Sequence, residues 1–248
     1  MSIESERDLL GLMRIGRIVG LCMQEMIGAL KPGIMTVELD AIGAKFLKSH
    51  GARSAPILTY NYPGWTCISI NDEVAHGIPG KRVVQPGDLV NIDVSAELDG
   101  YFADSGASIP VPPVAPEVQM LCDCTQEALN SAIHAARAGE RMNAIGRAVQ
   151  TVAERCGLSI IRDLNGHGVG RKLHEEPRNV FNYYTHRAKN RLVNGMVFTL
   201  EPFLTFGSGR IYTESDGWTL KTEDHKLGCQ YEHTIVITDD EPILVTAV

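Results

Sequence analysis

The chain has 248 residues, of which 44% are hydrophobic and 21% charged, with a formal net charge of -7. That is ordinary for a soluble globular protein long enough to bury a proper core. There is no electrostatic case for nucleic acid or an anionic membrane surface as a partner, and no apolar run reaches membrane-spanning length.

Ser5-Glu-Arg-Asp8 reads as a capping box. Leu9, Leu12, Ile15, Val19, Met23, Met26 and Leu30 follow at helical spacing until Pro32-Gly33 stops them. A second helix opens at Thr36, carries Leu39, Ile42, Phe46 and Leu47 on one face, and closes near Gly51. Strand-like runs come next at 66–71 and 89–94, then a hairpin, then a stretch over 109–118 interrupted by four prolines. Such a stretch predicts an extended linker. Helical patterns return from Met120 to Ala136 and from Met142 to Arg155, with strand runs near 159–162, 196–201 and 230–238. Gly33 and Gly139 stand 106 residues apart, as do Gly51 and Gly157, and at the same offset Leu39 meets Ile145. The pattern predicts two half-repeats, about 1–108 and 117–248, within one α+β domain. The six cysteines form no CxxC and no Cys/His zinc spacing, so free thiols in a reducing cytoplasm are expected.

The hairpin poses the chemical question. "NIDVSAELDGYFADSG" (91–106) turns at Asp99-Gly100, a strong two-residue turn signal. Aspartate is depleted in strands, yet one arm carries Asp93 and the other Asp104. With that turn, Asp93 faces Gly106 and Asp104 is its diagonal neighbour on the same face, roughly 7–8 Å away at the backbone. Unpaired, two such carboxylates repel and one is driven to protonate; divalent cations remove the conflict. Matching groups lie elsewhere. "LNGHGVGRKLHEEP" (164–177) sets His167 in a glycine-flanked bend. "VFTLEPF" (197–203) ends an apolar strand at Glu201, and "QYEHTIVIT" (230–238) opens one with Glu232. Each residue alone is an ordinary surface charge or loop histidine. Together, four carboxylates and one imidazole suit a pair of Mn, Fe(II), Co or Zn ions and not a structural zinc site.

These stretches carry a resemblance. With "CISINDEVAHGIP", "GDLVNIDV", "FADSG", "TLEP" and "DGWTLKT", they run in order nearly end to end, and the chain resembles the type I methionine aminopeptidases. The resemblance implies a pita-bread (creatinase/aminopeptidase) fold, two pseudo-symmetric αβ halves around two divalent metal ions. It implies that Asp104 and Glu232 bridge both ions, that Asp93 completes one site, and that His167 and Glu201 complete the other. His76 and His174 match two histidines that are not ligands and that handle the scissile peptide, and Glu201 would move its proton. Tyr62, Cys67 and Trp218 fall around the methionine side chain. The implied activity is removal of initiator methionine before a small second residue. The expected partners are nascent polypeptide N-termini, including those at the ribosome, and a cytoplasmic monomer is expected.

The chain departs from the familiar bacterial pattern in the methionine pocket. Pro56 and Thr59 replace a cysteine and a tyrosine, and Leu173 replaces a phenylalanine before His174. Two other readings share the fold. A peptidase acting beside proline usually has a large N-terminal domain, whereas the first helix here starts near residue 6. A non-catalytic binding module would have lost ligands, and all five are present. A type II methionine aminopeptidase would insert a helical subdomain between His174 and Glu201, where only 26 residues intervene.

Overall fold

Ser5 caps the first helix: its hydroxyl accepts from the Asp8 N–H at 3.2 Å, while the Asp8 carboxylate accepts from the Glu4 N–H, also at 3.2 Å. The computed structural model describes all 248 residues. Helix α1 spans Glu6–Ala29, and its stripe of Leu12, Ile15, Val19, Met23 and Met26 is buried. Helix α2 is Thr36–Ser49, and a short α3, Ala55–Tyr60, follows. Helices α4, Pro116–Ala135, and α5, Met142–Cys156, open the second half.

Two sheets matter for the site. In the first, the hairpin arms Leu89–Leu98 and Tyr101–Pro110 pair antiparallel, and the first arm also pairs with Cys67–Ile70 and Arg53–Ser54. The hairpin register sets Asp93 opposite Gly106 and Ser95 opposite Asp104, as the Asp99-Gly100 turn requires. The second sheet orders Ile243–Leu244, His233–Val236, Val197–Leu200, Gly166–Gly168 and Glu175–Val180. The two are tied at one seam. Glu232 N–H donates to the Gly106 carbonyl at 2.8 Å, Ser105 Oγ donates to the Glu232 carbonyl at 2.8 Å, and the Thr234 hydroxyl donates to the Asp104 carbonyl at 2.7 Å.

One apolar cluster joins α1 and α2 to the hairpin, with Leu12, Ile15, Leu39, Ile68 and Ile92 fully enclosed. Another joins α4 and α5 to the second sheet around Leu121, Ile145, Val149 and Phe198. Truncating such a side chain typically costs ~2–5 kcal/mol. The sheets are therefore held firmly from outside while their inner faces carry polar groups.

Three expectations need correcting. The proline stretch is not one linker: Pro110 ends the second hairpin arm and Pro116 starts α4, where a missing N–H costs nothing. Helix α3 stands where the periodicity predicts no element; Ser54 caps it with a 3.4 Å bond from Ile57 N–H, and Asn61 ends it in the left-handed conformation. The thiols are not all free: Cys124 of α4 and Cys156 at the end of α5 form a disulfide, with Cα atoms 6.5 Å apart. Helix packing brings them within bridging reach, which their spacing along the chain does not reveal. Cys22, Cys67, Cys122 and Cys229 are free and buried.

Candidate metal centre

A cavity of about 460 Å³ opens between the two sheets, and the ten residues given a ligand, catalytic or substrate-binding role from the sequence all line it: Tyr62, Cys67, His76, Asp93, Asp104, His167, His174, Glu201, Trp218 and Glu232. Asp104, His167 and Glu232 are buried, and one potential ligand atom from each lies within 4.8 Å of the others. Asp93 and Glu201 complete the carboxylate set on either side.

Each group is fixed by its neighbours. Ser95, facing Asp104 across the hairpin, donates to Asp104 Oδ1 at 2.8 Å. The Thr199 hydroxyl accepts from the His167 N–H at 3.0 Å and donates to Glu201 Oε1 at 2.7 Å, so one side chain sets two candidate ligands. Gln230 Nε2 donates to Glu232 Oε2 at 2.9 Å, and Asn91 Nδ2 holds the other end of that amide at 2.7 Å. Glycines make this crowding feasible. A Cβ on Gly106 would collide with the Gln230 amide, and one on Gly166 or Gly168 would collide with the carbonyls of Thr199 or Glu176. The strand bearing His167 therefore lies tight between its two neighbours.

The tautomer of His167 follows from its contacts. Nδ1 lies 3.1 Å from the Gly168 carbonyl, which can only accept, so Nδ1 carries the proton. Nε2 is left with a lone pair facing Asp104 Oδ2 at 3.7 Å and Glu201 Oε1 at 3.6 Å. Those separations exceed a hydrogen bond. Burial keeps His167 neutral, pushing its pKa down to about 4. Nothing in the protein answers Glu232 Oε1, a buried oxygen with no hydrogen-bond partner.

The electrostatics demand a counter-charge. Asp93, Asp104, Glu201 and Glu232 are all pushed above the ordinary carboxylate range, chiefly by burial; repulsion from neighbouring carboxylates adds to it at Asp93, Glu201 and Glu232, whereas the hydrogen bond from Ser95 draws Asp104 back. Two like charges 4 Å apart repel by about 4 kcal/mol at an effective dielectric near 20. No lysine or arginine lines the floor to offset this; Arg178 is the one such residue in the lining, and its side chain is largely exposed. A bare imidazole lone pair, four crowded carboxylates and an orphaned buried oxygen fit divalent cations with oxygen-rich coordination.

The apolar side of the cavity joins Tyr62 and Trp218 edge to face, ring centroids 5.2 Å apart, with Cys67 buried beside them. Tyr62 hydroxyl donates to the Gly77 carbonyl at 2.7 Å. This bond braces the bend where His76 adopts a left-handed φ of 56°, a conformation that costs energy in a non-glycine residue. His76 and His174 are both exposed toward the opening, and the His174 ring lies against His167, tilted by 36° with centroids 3.9 Å apart. Pro56 and Leu173 line the cavity, but Thr59 does not; its neighbour Tyr60 does.

Ser95, Thr199 and Gln230 were not singled out in the sequence, although a signal existed. Ser95 pairs with Asp104 in the predicted register, and Thr199 and Gln230 each precede a candidate ligand by two residues, hence share its face in an extended chain. Tyr60 lacked such a signal because α3 itself was not legible.

A family model for metallopeptidase family M24 matches residues 11–239. The chain belongs to metallopeptidase family M24. Among its M24 relatives, "Methionine aminopeptidase 2" of Bacillus subtilis is 46% identical over 99% of both chains. The crystal structure of methionine aminopeptidase from Rickettsia prowazekii covers 100% of both chains at 35% identity, with a TM-score of 0.95. The prolidase from Pyrococcus furiosus shares the fold at a TM-score of 0.78 and 22% identity, with 65% of that chain covered. The fold of this M24 chain is thus the pita-bread fold, and its segment between His174 and Glu201 contains strands but no helix.

Proposed function

We propose that this chain removes N-terminal methionine from nascent proteins and peptides whose second residue is small, as a type I enzyme acting as a monomer in the cytoplasm. Full-length likeness to methionine aminopeptidases supports the reading. The observation that carries it is the cavity itself: an apolar wall of Tyr62, Cys67 and Trp218 directly beside four carboxylates and an unprotonated imidazole nitrogen.

Two divalent ions from the set Mn, Fe(II), Co and Zn would be held by Asp93, Asp104, His167, Glu201 and Glu232, with Asp104 and Glu232 shared. When bound, such ions supply a nucleophile at neutral pH and polarise a carbonyl. The rest belongs to the side chains. Tyr62, Cys67 and Trp218 seat the methionine side chain. Asp93 lies where the free α-amine is received, which restricts cleavage to chain ends. His174 donates to the developing oxyanion. Glu201, steadied by Thr199, passes a proton toward the leaving amine, and His76 bonds the scissile amide.

The test is kcat/KM for Met-Ala-Ser, Leu-Ala-Ser, Met-Leu-Ser and a Met-Pro dipeptide, with each metal in turn. Met-Ala-Ser should lead. Preference for Met-Leu-Ser or the proline substrate would assign the chain to another branch of the fold.

A further inference from the structure

Tyr60, the last residue of α3, places its hydroxyl 2.8 Å from His174 Nδ1, across 114 residues of chain. The two rings are tilted at 57°, with centroids 5.6 Å apart. No other hydrogen bond reaches the His174 side chain, whose second constraint is the tilted ring contact with His167. Tyr60 is 46% exposed at the cavity rim, so it supports little of the core.

The consequence lies in the tautomer. A neutral imidazole has one donor and one acceptor nitrogen, and its partner decides which is which. A phenol, with an ordinary pKa of about 10, is protonated at neutral pH and donates readily. If it donates to Nδ1, the proton of His174 resides on Nε2 and that N–H is available to the cavity. Were Nδ1 the donor instead, Nε2 would be a bare acceptor, unable to bind a developing negative charge.

We infer that Tyr60 is a positioning residue for the peptidase reaction: its hydroxyl holds His174 in the Nε2–H tautomer and in the orientation that presents this donor to substrate. The inference rests on the role given to His174 above. It also accounts for an aromatic residue at the rim although residue 59, the aromatic position of the familiar pattern, is threonine.

The experiment compares Tyr60→Phe, His174→Ala and the double variant, zinc-loaded at pH 7.5, on Met-Ala-Ser. Tyr60→Phe should lower kcat about tenfold, the worth of one hydrogen bond, with KM, metal content and melting temperature unchanged. In the His174→Ala background the same change should have no further effect, because Tyr60 acts through that ring. Nitrogen-15 NMR of histidine-labelled protein should show His174 as the Nε2–H tautomer, shifting toward Nδ1–H in Tyr60→Phe. Full activity in His174→Ala would overturn the role of His174 itself. Loss of activity in His174→Ala with none in Tyr60→Phe, an undiminished Tyr60 effect in the double variant, or an unchanged tautomer would overturn the role of Tyr60 alone.

Discussion

The two sides of the candidate metal centre are built by opposite means. Asp93 and Asp104 come from the two arms of one hairpin, and a single turn fixes their separation. His167, Glu201 and Glu232 come from three separated stretches of chain, brought together only when the second sheet assembles and docks on the hairpin. The hairpin side is thus a local construction. The other side depends on glycine gaps, a threonine shared between two candidate ligands, and hydrogen bonds across a seam. Carboxylate geometry set by one hairpin tolerates little variation, whereas the opposite side can fail at several distant points.

The strongest way to break this comparison is to remove Asp104 or Glu232, one from each side, which the proposed function gives to both ions. Asp104→Asn and Glu232→Gln should each abolish hydrolysis of Met-Ala-Ser. Asp93→Asn and His167→Ala should instead each reduce the bound metal, measured by elemental analysis, from two ions to one. Equal loss of both ions in all four variants would mean the sides are not separable.

Next in size are the histidines at the opening. His174→Ala should lower kcat by around 10²-fold, the usual cost of one oxyanion donor, with metal content unchanged. Loss of metal on elemental analysis would make His174 part of the ligand set.

Smaller again is the support behind the ligands. Thr199→Val removes the hydroxyl shared by His167 and Glu201, and should weaken metal binding by roughly 10-fold to 100-fold. Ser95→Ala on the hairpin side removes one bond to one ligand already placed by its register, and should sit at the bottom of that range. Metal titration followed by calorimetry separates the two. A larger effect from Ser95→Ala would reverse the contrast drawn between the sides.

The same contrast explains what was legible beforehand. The hairpin register followed from Asp99-Gly100, so Asp93 and Asp104 could be placed on one face without any tertiary knowledge. His167, Glu201 and Glu232 could be set beside them only through the family resemblance, because strand alternation gives a face but not a neighbour. Helix α3 is too short for periodicity to show, and with it went Tyr60. Pro116 begins a helix, which the sequence does not distinguish from a linker because proline at a helix start and proline in a linker look alike. The Cys124–Cys156 bridge depends on how α4 and α5 pack, which no local pattern encodes.

The smallest effect concerns the apolar wall. Leu173 is buried and lines the cavity beside Pro56. Leu173→Phe would restore a sulfur–aromatic contact worth ~0.3–1.5 kcal/mol, so discrimination of Met-Ala-Ser over Leu-Ala-Ser should widen by about two-fold to tenfold. An unchanged ratio would remove Leu173 from the determinants of specificity.

The central claim is that cations neutralise the carboxylates buried between the sheets. It is tested most directly by calorimetric titration of the chelated protein with Mn(II) in buffers of different ionisation enthalpy. In the metal-free protein, burial raises the pKa values of Asp93, Asp104, Glu201 and Glu232, and carboxylate repulsion adds to it at Asp93, Glu201 and Glu232, so protons compete with the cations for this cluster. Binding of two ions per chain should release protons, and affinity should rise as the pH is raised from 6 to 8. Binding that releases no protons, or that persists in Asp104→Asn with unchanged stoichiometry, would contradict the account.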